Sequence, residues 1–297
     1  GIGCNNFGGR CDQKVTKEIV HTALDFGINF FDTADVYGQR GLSEEYLGKA
    51  IAGKREDLVI ATKFGMQMDS EGRKKGGSRR YVIQAVDDSL KRLNTDYIDL
   101  YQQHFPDDET QIEETLCTLD DLVHQGKIRY LGCSNFSGWQ ISDADWTARD
   151  RCLNRFVTAQ NLYSLLDRGV EKEVIPACQR YGLGILPYFP LASGLLTGKY
   201  KRGKEPPQGT RLASWGDRAK SALSDNNFDV LEKLSSFAEG KGHSLLELAM
   251  SWLASQPQIS SVIAGATSPK QVQQNAQAAS WRLSDEEMEE VSRIIQS

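Results

Sequence analysis

The sequence is poor in histidine, and its thiols are not clustered. Its four histidines, His21, His104, His124 and His243, are scattered, which argues against a His-rich metal site. Its six cysteines, Cys4, Cys11, Cys117, Cys133, Cys152 and Cys178, include no C-x-x-C pair and no Cys/His group at zinc spacing, so no metal is expected. The even count leaves a disulfide framework open. In a chain of this length with no secretory signal, however, reduced thiols and a cytoplasmic setting are the expectation. No apolar run approaches the roughly 20 residues of a membrane span, and no signal peptide is visible. The net charge of −5 gives no electrostatic reason to look for nucleic acid or an anionic membrane. No P-loop occurs, and no G-x-G-x-x-G follows the first strand. There is no initiator methionine: Gly1-Ile2-Gly3-Cys4 reads as the end of a strand, and a truncated N-terminus is expected.

What is present is an ordinary globular composition, 39% hydrophobic and 25% charged over 297 residues, ample for a large core. The chain is organised around Gly27–Ala50. Ile28, Phe30 and Phe31 make a strand that stops at Asp32, a polar turn carries Tyr37, and Ser43-Glu44-Glu45 opens a helix over 43–52. Ahead of it, residues 16–26 fit a helix closed by Gly27. Strands follow at 58–62, 97–102, 128–133, 156–160, 184–188 and 261–264. Helices fit 79–92, 109–125, 138–149, 170–181, 226–240, 244–255 and 269–279, with a last one capped by Ser284. Residues 194–225 lack periodicity and are too long for an idle loop. Counting the N-terminal stub, eight strands alternate with helices, which predicts a (β/α)8 TIM barrel spanning 1–297 as one domain. The rival, a doubly wound open sheet, lacks its nucleotide fingerprint.

In such a barrel the strand C-termini converge. Here they carry Asp32 and Tyr37, then Lys63, His104, Ser134 with Asn135, Gln160, Tyr188 and Gly265. The titratable members fall in the first half and the amides and hydroxyls in the second. A phenol with a free pKa of about 10 is a sluggish acid. A nearby lysine ammonium lowers that pKa, and a carboxylate keeps the lysine charged and oriented. A histidine can donate to a substrate oxygen or relay a proton. Asp32, Tyr37, Lys63 and His104 therefore read together as a proton donor for a carbonyl under reduction. Taken singly, Asp32–Lys63 reads equally as a structural ion pair and His104 as a loop histidine. A paired-carboxylate glycosidase barrel would leave Lys63 and Tyr37 unexplained.

Over essentially its whole length the chain resembles an aldo-keto reductase. The resemblance rests on GINFFDTADVYG with GLSEEYLGKAI, then ATKFG, YIDLYQQH, IRYLGCSNF, AQNLYS and PLASGLLTGKY. It implies a metal-free carbonyl reductase using NADP(H), or NAD(H). Tyr37 would be the proton donor, Lys63 and Asp32 its tuning pair, and His104 the residue that orients the carbonyl. The resemblance further implies that Ser134, Asn135 and Gln160 hold the nicotinamide carboxamide and that Tyr188 stacks on its ring. The turn Leu191–Gly194, with Ser193, would meet the pyrophosphate. Lys199 and Arg211 would add charge, and the segment 194–225 would cover the cofactor. Gly265, Thr267, Gln271, Gln274 and Asn275 would hold the adenosine.

The chain also departs from the family's pattern. Phe189 stands where serine is common, Gln274 replaces a common glutamate, and 265–275 holds Lys270 but no arginine, which moderates the case for NADP(H) over NAD(H). With a truncated N-terminus expected, the family's N-terminal hairpin is expected to be missing from these 297 residues. The branch with the long SGLLTGKY loop also contains potassium-channel β subunits, so the alternative is a cofactor-binding, redox-sensing subunit with vestigial catalysis. Those subunits typically lack histidine at the position of His104. The small-molecule partner is expected to be a carbonyl compound, with Trp139, Trp146 and Trp215 as pocket walls or, equally, as buried packing, Trp215 in the long segment being the better candidate for the pocket. Neither the substrate nor monomer against homo-oligomer is decided by the sequence.

Overall fold

A computed structural model describes residues 1–296. Eight parallel strands form one sheet: β1 (Ile2–Gly3), β2 (Phe30–Asp32), β3 (Val59–Phe64), β4 (Ile98–Gln103), β5 (Ile128–Ser134), β6 (Phe156–Gln160), β7 (Gly184–Ile185) and β8 (Ala264–Gly265). Their order is β7-β6-β5-β4-β3-β2-β1-β8. The seam between β7 and β8 is closed by the segment leading into β8: Ile185 N–H donates to Gln258 O at 2.9 Å, and Ser260 N–H donates to Ile185 O at 3.0 Å. The predicted (β/α)8 barrel is the fold.

Alternation along the strands explains the interior. Ala61, Leu100, Leu186 and Ile263 pack together, with Phe30 against them. Each lies two residues before a position facing the cleft end of the barrel: Asp32, Lys63, Gln102, Tyr188 and Gly265, all polar or aromatic but the last. A period of two puts each such pair on one face of its strand, so an apolar floor fills the barrel and a polar layer sits on it. The opposite faces, such as Phe31, Ile60 and Tyr101, join the larger core under the helices.

The helices are α1 (Gln13–Asp25), α2 (Tyr37–Ala50), α3 (Arg79–Leu93), α4 (Ile112–His124), α5 (Gly138–Asp150), α6 (Val174–Tyr181), α7 (Ala219–Ala222), α8 (Asp225–Gly240), α9 (Leu245–Ala254), α10 (Pro269–Ala278) and α11 (Asp285–Gln296). Caps set many boundaries. Asp12 accepts from Val15 N–H at 2.8 Å and starts α1 three residues before the expected start at 16. Ser137 with Gln140, and Ser244 with Glu247, form capping boxes on α5 and α9.

Three expectations change. The predicted helix over 170–181 divides into a short 3-10 turn at Gly169–Glu171 and α6, because Glu173 leaves the helical region. The strand over 184–188 pairs regularly only at Gly184–Ile185, since Pro187 has no N–H to give. The segment 194–225 is not wholly irregular: 3-10 turns at Ala192–Thr197 and Leu212–Arg218 precede α7.

Candidate active site

The C-terminal ends of the strands open into a cleft of about 730 Å³. Of the catalytic and cofactor-binding candidates, all line it except Lys63, which is fully buried beneath. The Lys63 ammonium donates to Asp32 Oδ2 at 2.7 Å and to the Thr33 carbonyl at 2.7 Å. It lies 5.2 Å from the centre of the Tyr37 ring, and that ring meets the His104 ring edge-on at 5.7 Å. Tyr37 owes its place to a left-handed turn at the head of α2. Gly38, Gln39 and Arg40 have φ of 63°, 60° and 66°. A Cβ on Gly38 would come within 2.4 Å of Phe7 O, so only glycine fits there.

Electrostatics divide the roles of these groups. Burial works against the Lys63 charge, but Asp32 and Tyr37 outweigh it and hold the ammonium above the usual lysine range. Burial raises the Tyr37 phenol, Lys63 lowers it and Asp32 raises it again, and the net shift is upward. Lys63 pulls in the direction the sequence suggested, yet desolvation by burial outweighs it. For His104, burial and then Lys63 push the pKa down to about 3, so the imidazole is neutral throughout the physiological range. Its Nδ1 is buried without a partner. A proton relay through an imidazolium is thereby disfavoured, and donation of a neutral N–H is favoured.

The opposite wall is a chain of hydrogen bonds. Tyr188 OH donates to Asn135 Oδ1 at 2.8 Å. Asn135 Nδ2 donates to His104 O at 2.9 Å and Ser134 Oγ at 3.1 Å, and Ser134 Oγ donates to Gln160 O at 2.9 Å. Asn135 sits at φ 61°, a left-handed position asparagine tolerates, which turns the chain sharply off β5. Further along the lip, Phe189, Ala192 and Ser193 are also left-handed, at φ 52°, 45° and 57°. For non-glycine residues this costs about 1–2 kcal/mol each, and such strain concentrates at working sites. The turn does not offer every N–H expected of it, since Gly194 N–H donates to Leu191 O at 2.8 Å. At the far end, Thr267 N–H is bonded to Gln271 Oε1 at 2.8 Å, over the start of α10.

Two contributors went unread in the sequence. Arg10, from the loop after β1, donates to the Gly209 carbonyl, and Asn6 accepts from Arg211 at 3.3 Å. The loop after β1 thus clasps the segment 194–225 across the cleft. Among the described residues, Arg10, Lys199 and Arg211 have no carboxylate partner. Burial and the adjacent Arg10 push Arg211 below its ordinary value, the mark of cations gathered without a counter-ion. The signal was available in principle, because the loop after β1 lies at the same barrel end as the other strand-end residues. The tryptophans are a correction. Trp139 and Trp146 are 65% and 60% exposed on α5, Trp215 is 38% exposed, and none lines the cleft.

Behind this wall lies a second buried acid. Asp35 accepts from Tyr81 OH at 3.2 Å, while its Oδ1 has no partner. Burial and then the Glu44 charge push its pKa up to about 7, against the pull of Arg92. An acid raised above its unfolded value of about 4 costs stability only where it would ionise. That cost is absent below about pH 4, grows with pH and is complete above about pH 7. Asp35→Asn is therefore expected to gain about 2–4 kcal/mol on wild type between about pH 4 and pH 8. Urea midpoints of both proteins at each pH check this, and a constant difference would contradict it.

A family model described as the aldo/keto reductase family matches residues 1–296. A probable voltage-gated potassium channel subunit beta of Arabidopsis thaliana is 38% identical over 304 residues, covering 98% of this chain and 90% of that protein. The L-glyceraldehyde 3-phosphate reductase of Escherichia coli K12 is 34% identical over 284 residues, covering 92% of this chain and 81% of that protein. The aldo-keto reductase YhdN of Bacillus subtilis is 34% identical over 299 residues, covering 100% and 88%.

Proposed function

The chain belongs to the aldo/keto reductase family of oxidoreductases, and from that premise we propose that it reduces an aldehyde or ketone to an alcohol with NADP(H), Tyr37 giving the proton. The observation that carries this reading is the Lys63–Asp32 pair, buried at 2.7 Å beneath Tyr37 and beside a neutral His104. The cleft fits a dinucleotide phosphate: Arg10, Lys199 and Arg211, which have no carboxylate partner among the described residues, line it together with the amides Asn135 and Gln160. When bound, the nicotinamide supplies hydride from C4.

The chain's own residues do the rest. Ser134, Asn135 and Gln160 seat the carboxamide, and Tyr188 lies along the ring. Leu191, Ser193, Gly194, Lys199 and Arg211 meet the pyrophosphate, with the segment 194–225 as its cover. Gly265, Thr267, Gln271, Gln274 and Asn275 hold the adenosine. His104 donates its neutral N–H to the substrate oxygen and so orients the carbonyl. Tyr37 would deliver its proton to that same oxygen as negative charge develops on it. As the proton leaves, the phenolate is stabilised by Lys63, which Asp32 keeps in place. The cationic side chains fit the pyrophosphate that NADP(H) and NAD(H) share; NADP(H) is the preferred partner, with Lys270 as the nearby cation for its 2′-phosphate, and NAD(H) the weaker one. The six unpaired cysteines suit a reducing, cytoplasmic setting.

The relatives named as channel subunits favour a second reading, a nucleotide-binding regulatory subunit. One titration separates the two. Tryptophan fluorescence is followed as NADPH or NADH is added, and a panel of aldehydes is then supplied while the reduced nicotinamide is watched. Binding with turnover is expected. Binding without turnover on any carbonyl would select the regulatory reading, and no binding would sink both.

A further inference from the structure

Asp32 Oδ2 is taken by Lys63. Its other oxygen, Oδ1, accepts from two amides: Gln160 Nε2 at 2.8 Å and Gln102 Nε2 at 3.0 Å. Gln160 Nε2 also donates to Gln102 Oε1 at 3.2 Å, which closes a triangle between β2, β4 and β6. All three side chains are buried, Gln102 completely. A buried primary amide in a barrel interior costs a few kcal/mol unless both ends are bonded, and for Gln102 both ends are.

The orientation of this triangle is determined. A carboxylate only accepts, so both amides must turn their NH2 groups toward Asp32. Gln160 then has one N–H on Asp32 and the other on Gln102. Both of its hydrogens are committed to the barrel floor, and its carbonyl oxygen is left for the cleft. Gln102 in turn gives Asp32 a donor that carries no charge. The carboxylate is satisfied on both oxygens without a second cation.

We propose that Gln102 is a positioning residue that joins the nicotinamide-seating amide of Gln160 to the Asp32–Lys63 pair. This rests on the function proposed above. Its acceptor half fixes Gln160 so that an oxygen, not an N–H, meets the cofactor's carboxamide, which has N–H groups to give. Its donor half steadies Asp32 and, through Lys63, the proton donor. Strand alternation puts Gln102 between Leu100 of the floor and His104 of the wall, on the face that Asp32 and Gln160 also meet.

The two halves separate by substitution. Gln102→Met keeps the volume and removes both. The second N–H of Gln160 then loses its acceptor and turns to the cleft. The readout is binding, not turnover: fluorescence titration with NADP+ and with its 3-acetylpyridine analogue, which has a methyl group in place of the carboxamide NH2. Wild type is expected to prefer NADP+ by about tenfold, the range for one unsatisfied buried group. Gln102→Met should narrow that preference to about twofold. Gln102→Glu still accepts from Gln160, so the preference should survive at every pH. Its carboxyl donates to Asp32 only while protonated, so kcat relative to wild type should fall as pH rises.

A purely structural Gln102 would lower thermal stability and leave the nucleotide preference alone, and that result in Gln102→Met overturns the proposal. If Gln102→Met does not fold, Gln102→Glu decides: a pH-independent kcat ratio to wild type overturns it. Wild type binding neither nucleotide is a different failure, that of the functional reading itself, and it takes this proposal with it.

Discussion

Tyr37→Phe should lower kcat for carbonyl reduction by about 10²–10⁴, the span expected for loss of a positioned general acid. The ring stays, so its edge contact with His104 at 5.7 Å and its place 5.2 Å from the Lys63 ammonium survive. Only the oxygen goes. Lys63 spends two of its three N–H groups on Asp32 and Thr33 O, and the third, which faces the phenol, is left unsatisfied. A stability loss of about 1–3 kcal/mol accompanies the change. NADPH affinity should move by no more than about twofold, because a removed hydroxyl takes no contact from the Asn135–Ser134 wall. Steady-state kinetics on the aldehyde panel, with fluorescence titration of the same protein, test both statements. Full activity in the variant would remove Tyr37 from the chemistry. In wild type, the kcat profile should show no limb near pH 6.5, since His104 titrates far below it. An alkaline limb should lie above the ordinary phenol range, since burial raises Tyr37 more than Lys63 lowers it.

The features of this site visible in the sequence are those governed by short-range rules. Strand alternation with abrupt polar ends gave away Asp32, Lys63 and His104, because a period of two and a change from apolar to polar need no partner to be seen. Alternation also carried Gln102, which shares a face with His104, but its meaning depends on Asp32 and Gln160 from other strands. Those contacts span 70 and 128 residues of chain. Arg10 was hidden for the same reason: its partner, Gly209, is 199 residues away. The boundaries that shifted have local causes that propensity does not register. Glu173 breaks the predicted helix from its own backbone conformation, and Pro187 withholds an N–H from the ladder. The tryptophans misled because an aromatic side chain buries equally well in a pocket, a core or a surface patch. Only the position of α5 on the outside of the barrel distinguishes these for Trp139 and Trp146. The net direction of the Tyr37 shift also lay beyond the sequence. The sign of the Lys63 effect follows from charge alone, but its balance against desolvation is a property of depth.

The second large effect concerns Lys63→Met, where stability and activity should part company. The lysine is fully buried and its partner Asp32 nearly so, at 2.7 Å. Removing one member of such a pair leaves a buried charge with no counter-charge, at a cost of about 3–5 kcal/mol. The donors Gln102 and Gln160 remain on Asp32 Oδ1, so the loss should fall toward the lower end of that span. Thr33 O also loses its donor. Activity should fall by about 10²–10⁴ as well, because Tyr37 would shed its proton with no cation to steady the phenolate. The double variant Asp32→Asn, Lys63→Met separates the two losses. A neutral amide needs no counter-ion, so most of the lost stability should return, and the coupling between the two changes should exceed about 1 kcal/mol. Activity should not return, since neither side chain then supplies the field that holds the phenolate. Urea denaturation of wild type, both single variants and the double variant, with aldehyde turnover on each, forms the cycle. Recovery of turnover along with stability would mean that the pair only holds the barrel together, and that the proton donor is tuned by something other than Lys63.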